Sequence, residues 1–112
     1  MVRPRQRLDP WLITAYGVLV APVVEECVFR GMLQTSIGKA AGRTAGVVVA
    51  SLLFAAIHVQ KVEDVHSFVP LLGLALLLAW LYERTGSIRA VALAHALNNA
   101  TTLVPFLLLT PS

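Results

Sequence analysis

Apolar residues fall into four runs along this chain, separated by short polar breaks. The runs are residues 11–37, 44–59, 67–82 and 90–110, and the breaks are 38–43, 60–66 and 83–87. Almost no run shows the charged face that a helix lying on a soluble core needs. At roughly 16–27 residues each, they approach the ~20 residues that carry a helix across the hydrocarbon of a bilayer. The pattern predicts an all-α, polytopic membrane protein: about four transmembrane helices forming a bundle around an intramembrane polar cavity. The second and third runs are the short ones. Asp9 followed by Pro10 reads as an N-cap with proline in the first turn. Pro22 predicts a kink that frees backbone carbonyls, and Pro105 a bend in the last run. Gly42, Gly46, Ala50, Phe54 and His58 recur every four residues. Small residues on such a stripe let a second helix approach closely, which turns His58 toward protein rather than lipid.

Residues 1–9 read as a basic lead-in exposed to solvent, and residues 10–112 as a single unit without repeats. Composition agrees with a membrane location. Of 112 residues, 57% are hydrophobic and 13% charged, and the mean hydropathy is +0.76; soluble domains carry about 25% charged residues. The net charge of +3 comes mostly from arginines at the ends of runs, which flank a membrane rather than form a nucleic-acid surface. Arg3, Arg5, Arg7 and Lys61 balance Lys39, Arg43, Arg84 and Arg89 across the membrane. The first helix usually decides orientation, which favours a cytoplasmic N-terminus. Trp11, Trp80 and Tyr82 read as interfacial anchors. The lone cysteine, Cys27, excludes an intramolecular disulfide and a Cys/His metal knuckle. No cleavable signal peptide is expected, because no small-residue cleavage site follows the first apolar run.

The chemistry concentrates in Val24-Glu25-Glu26-Cys27-Val28-Phe29-Arg30-Gly31. An unpaired charge in an apolar medium costs several kcal/mol, roughly, so two carboxylates here need a reason. On a helix Glu26 and Arg30 are four apart and share a face. Arg30 therefore neutralises Glu26 and leaves Glu25 available. Counting ~1.5 Å per residue from the Lys39–Arg43 turn places Glu25 and His58 at matching depths, about 21 and 22 Å away. His95 and Asn99 lie about 10 and 16 Å from the Arg84–Arg89 turn on the same side. Glu25, His58, His95 and Asn99 could then line one cavity, while Asn98 faces another side. A carboxylate and a histidine can activate a water, and a histidine and an amide four apart can donate to an oxyanion. No serine or threonine stands out as a nucleophile. Two histidines and a glutamate could instead bind zinc, although no HExxH pair is present. A buried proton relay, or a non-catalytic immunity or partner-binding role, also stays open.

Three motifs stand in order on separate apolar runs. Glu25-Glu26-Cys27-Val28-Phe29-Arg30 fits EExxxR, Phe54-Ala55-Ala56-Ile57-His58 fits FxxxH, and His95-Ala96-Leu97-Asn98-Asn99 fits HxxxN. Together they resemble the CPBP intramembrane endopeptidases, also called the Abi or type II CAAX-protease family, over residues 18 to 105. The resemblance implies metal-free, cofactor-free, glutamate-dependent hydrolysis of a peptide bond within the membrane. It implies Glu25 as base, His58 as its partner on the water, His95 and Asn99 at the oxyanion, and Glu26 and Arg30 in support. The expected partners are the lipid bilayer and a peptide or membrane-protein substrate, with prenylated CAAX proteins among the candidates; oligomeric state stays open. The compact, Ala/Val/Arg-rich chain points to the plasma membrane of a prokaryote. Family members commonly have more than four membrane helices, so this chain is expected to be a minimal member, a truncated one, or a piece that needs a partner.

Overall fold

The computed structural model describes residues 9–59 and 62–109. Residues 1–8, which hold the three arginines of the basic lead-in, and Gln60 and Lys61 in the polar break lie outside the described residues. Among the described residues the chain is helical, without strands. We label the helices α1 (Pro10–Ala41), α2 (Arg43–His58), α3 (Phe68–Thr85) and α4 (Ile88–Leu109). A 3-10 turn, Val62–Ser67, leads into α3.

Helices α1 and α4, and α3 with the turn that precedes it from Val65, are long and apolar enough to cross a membrane; α2, with 16 residues, is shorter. The third run is thus longer than its sequence pattern suggested. Its helix continues through Glu83 and Arg84 and stops only at Gly86, whose φ of +62° closes the left-handed cap. Likewise 38–43 is not a turn as a whole. Helix α1 runs on to Ala41, and the chain reverses at Gly42 alone, with φ +102°. The reason is a close helix crossing. A Cβ on Gly46 would lie 2.6 Å from the carbonyl oxygen of Gln34 and 3.0 Å from the backbone nitrogen of Gly38. Only glycine at position 46 lets these backbones meet, whereas a Cβ on Gly38 would meet nothing within 4 Å.

Asp9 caps α1 as expected, its Oδ1 accepting from the Trp11 N–H at 2.9 Å. Pro22 does not end the helix. The strain is absorbed by wide π turns at Tyr16–Val20, ahead of the proline, and at Cys27–Gln34 beyond it. Helix α4 likewise continues past Pro105.

Helix α1 is central: its second half packs on α2 and its first half on α4, while α3 packs on α2 and α4. Phe29, Phe54 and Ala75 form the core with Leu33 against them. The distribution of polarity is reversed relative to a soluble protein. Leu12, Leu19, Leu108 and Leu109 are exposed, whereas Glu26, Arg30 and Gln34 are fully buried. Apolar side chains outward and ionic groups inward is the arrangement a lipid environment stabilises.

Candidate active site

Glu26, Arg30 and Gln34 lie four apart on α1 and form a sealed polar seam. Arg30 Nε is 3.3 Å from Glu26 Oε1, and both side chains have no exposed surface. Arg30 Nη2 donates to the Ala75 carbonyl at 2.7 Å, and its guanidinium carbon sits 5.3 Å from the centre of the Phe54 ring. His95 Nδ1 is 2.7 Å from the other oxygen, Glu26 Oε2. A carboxylate only accepts, so His95 donates through Nδ1 and keeps Nε2 uncommitted. Glu26 is thus held by α1 and α4 at once. This matches the sequence reading of Glu26–Arg30 as an ion pair and adds His95 as a third member.

The neighbouring carboxylate is placed differently. Glu25 Oε1 is 3.3 Å from His58 Nε2, and the two side chains keep 25% and 29% of their surface exposed. His58 Nδ1 donates to the Phe54 carbonyl at 2.6 Å. That bond fixes the proton on Nδ1. A hydrogen bond between Nε2 and Oε1 then requires one proton shared by those two atoms. Phe54 also stacks on the His58 ring, with centroids 4.3 Å apart, and meets the edge of His95 at 5.7 Å. One aromatic ring therefore orients both histidines. Glu25 Oε2 is buried and has no protein partner.

Asn99 Nδ2 donates to the Gly17 carbonyl at 2.9 Å. The sequence explains why that carbonyl needs a donor. In the π turn before Pro22 the backbone N–H of Ala21 reaches back five residues to the Tyr16 carbonyl. The next bond in that ladder would join residue 22 to Gly17, and proline has no N–H to give. Asn99 fills the place. Packing is close here as well, since a Cβ on Gly17 would meet Leu103 Cδ1 at 2.5 Å. His95 and Asn99, expected as donors to an oxyanion, each already make one bond within the protein. One is tied to Glu26 and the other to Gly17, and Asn99 retains its second amide hydrogen.

Glu25, His58, His95 and Asn99 line a single cavity of about 330 Å³, whose walls include Leu71, Leu74 and Leu103. Asn98, expected on another side, lines it too, because a residue three positions after His95 shares its face as closely as one four after. Among the described residues no three His, Cys, Asp or Glu side chains converge to hold one metal ion. Cys27 is exposed, away from the cavity lining. Two polar contacts outside this cavity escaped the sequence reading. Gln34 is 1% exposed and donates to the Ala79 carbonyl at 3.2 Å and to Glu83 at 2.9 Å. Tyr82, expected as an interfacial anchor, hydrogen-bonds Thr35 at 3.1 Å. The four-residue spacing of Gln34 from Arg30 was the one available signal, and nothing in the sequence marked Tyr82.

The model of one family, the type II CAAX prenyl endopeptidase Rce1-like proteins, matches residues 7–101. This chain belongs to the Rce1-like family. The match contains every residue of the cavity motifs, from Glu25 to Asn99. The Rce1-like chain is also 34% identical over 82 residues to a Bacillus subtilis (strain 168) protein, uncharacterized protein YpbD. The aligned part is 73% of this chain and 39% of the relative, so the chain spans about two fifths of that protein's length. No solved structure matches it.

Proposed function

We propose that this chain is a membrane-embedded endopeptidase of the CAAX type, in which Glu25 and His58 activate a water. The observation that carries the reading is the state of the Glu25 carboxylate. One oxygen is bound to a histidine that Phe54 holds from its other side, and the second oxygen is uncommitted. A water beside Glu25 gives up a proton to the carboxylate as its oxygen attacks the scissile carbonyl carbon. The negative charge that develops on the carbonyl oxygen meets the free amide hydrogen of Asn99; His95, whose Nδ1 proton is given to Glu26, adds a second donor only with a further proton on Nε2. Collapse of the tetrahedral species breaks the C–N bond, and the proton held at Glu25 passes to the departing amine. The products are a carboxylic acid and an amine, and Glu25 returns to its starting form. Glu26 and Arg30 act by fixing His95. The apolar wall of Leu71, Leu74 and Leu103 suits a lipidated or membrane-anchored peptide. A prokaryotic plasma membrane is the setting we infer from composition.

The test uses purified protein in lipid with a panel of prenylated and unprenylated membrane-anchored peptides. Wild type, Glu25→Gln and wild type with a chelator are compared. Cleavage that survives the chelator and disappears in Glu25→Gln supports the proposal. Cleavage that the chelator abolishes transfers the chemistry to a metal. No cleavage by a well-folded wild type overturns the proposal for the chain on its own and favours a binding role.

A further inference from the structure

A second cavity, of about 430 Å³, lies at the other end of the bundle, where the Gly42 and Gly86 turns meet. The proposed hydrolysis makes no use of it. Its lining includes Gln34, Thr35, Lys39, Arg43, Tyr82 and Glu83. Helices α1 and α3 stop at Ala41 and Thr85, and α4 starts at Ile88. The cavity therefore sits where the apolar spans end, at the level of lipid headgroups.

We propose that this cavity binds the headgroup of an anionic phospholipid that carries a hydroxyl. Three observations support this. First, Gln34 is buried, its Nε2 is spent on Ala79 and Glu83, and its Oε1 is buried without a donor. A buried amide oxygen in a polar cavity calls for an N–H or O–H from a ligand. Second, Lys39 has no ion pair among the described residues, and Arg43 meets Glu83 only through Nε, at 3.1 Å. The ammonium and the outer guanidinium nitrogens are free for phosphate oxygens. Third, two cations and one carboxylate leave a single positive charge in the lining. One phosphodiester balances it, provided the rest of the headgroup is neutral. A hydroxylated headgroup fits that requirement, whereas an amine-bearing one adds a positive charge. The phosphodiester thus lies against Lys39 and Arg43, and the hydroxyl donates to Gln34 Oε1.

The experiment is native mass spectrometry of the full chain released from micelles. The micelles contain equal amounts of phosphatidylglycerol, phosphatidylcholine and phosphatidylmethanol with matched acyl chains. Phosphatidylmethanol has the same charge as phosphatidylglycerol but lacks the hydroxyl. The protein is expected to retain phosphatidylglycerol first, phosphatidylmethanol next and phosphatidylcholine least. Lys39→Gln and Arg43→Gln are each expected to reduce the preference about fivefold, while Arg89→Gln, outside the cavity lining, leaves it unchanged. Both substituted residues are exposed, so folding is retained. Equal retention of the three lipids, or a preference that persists in the Lys39→Gln/Arg43→Gln double variant, overturns the proposal. A parallel arm titrates inorganic phosphate and follows thermal unfolding. Stabilisation by phosphate that depends on Lys39 and Arg43, without lipid selectivity, overturns the lipid as source and assigns the site to a soluble phosphate.

Discussion

Glu25 and Glu26 are adjacent in the chain, and each meets a histidine from another helix, yet their surroundings differ. Glu26 has His95 on one oxygen and Arg30 on the other, with no exposed surface on either acidic or basic side chain. Glu25 has only His58, a quarter of its side chain exposed, and one oxygen without a partner. The difference follows from helix geometry. A four-residue spacing places Arg30 over Glu26, while Glu25 is turned about a third of a revolution toward the cavity. A fully committed carboxylate stabilises the packing of three helices. A half-committed one can exchange a proton. Two copies of one side chain thereby divide structure from chemistry.

The sharpest way to separate the two pairs is to neutralise each acid. Glu25→Gln is expected to lower the cleavage rate by about 10²- to 10⁴-fold, the usual contribution of a general base, with little change in thermal unfolding. Wild-type cleavage in this variant would erase the distinction. The next effect falls on the sealed pair. Arg30→Met leaves Glu26 buried without its cation and is expected to cost ~3–5 kcal/mol of stability, read by denaturant unfolding in micelles. A loss below ~1 kcal/mol would mean that His95 alone suffices for Glu26.

Gly46→Ala tests the crossing that aligns α1 with α2, and with it Glu25 with His58. The new methyl meets backbone atoms of Gln34 and Gly38 rather than a movable side chain, so a cost of ~1–3 kcal/mol is expected. Unchanged stability would show that the helices can separate freely. An effect of similar size concerns Asn99. Asn99→Ala strips the Gly17 carbonyl of its donor, at ~1–3 kcal/mol. In a Pro22→Ala background the restored N–H can serve that carbonyl, so the same substitution is expected to cost less. A double-mutant cycle measures the coupling; strict additivity would mean that Asn99 does not compensate for the proline.

The helical, membrane-spanning architecture was legible because apolar runs approaching bilayer length, with few charges, admit few other structures. The meeting of Glu25 and His58 was legible for a simpler reason: equal residue counts from a shared turn give equal depth at a fixed rise per residue. The turns were harder to place. Lys39, Glu83 and Arg84 look like loop residues in isolation, but their helices continue until a glycine with positive φ ends them. The role of Gln34 was hidden because one neutral amide scarcely disturbs an apolar run. Tyr82 reads as an anchor by its position near a helix end, and only the approach of α1 gives its hydroxyl an internal partner. The bond from Asn99 to Gly17 depended on a π turn, which no pattern of apolar positions announces.

The division between the two acids is tested most directly by one paired measurement: cleavage of a membrane-anchored peptide and thermal unfolding, on Glu25→Gln and Glu26→Gln side by side. Glu25→Gln is expected to unfold like wild type and to cleave about 10²- to 10⁴-fold more slowly. Glu26→Gln is expected to unfold far more easily, because Arg30 is left buried with no countercharge. A Glu25→Gln protein that cleaves at the wild-type rate, or a Glu26→Gln protein as stable as wild type, would contradict the division of labour between the two carboxylates.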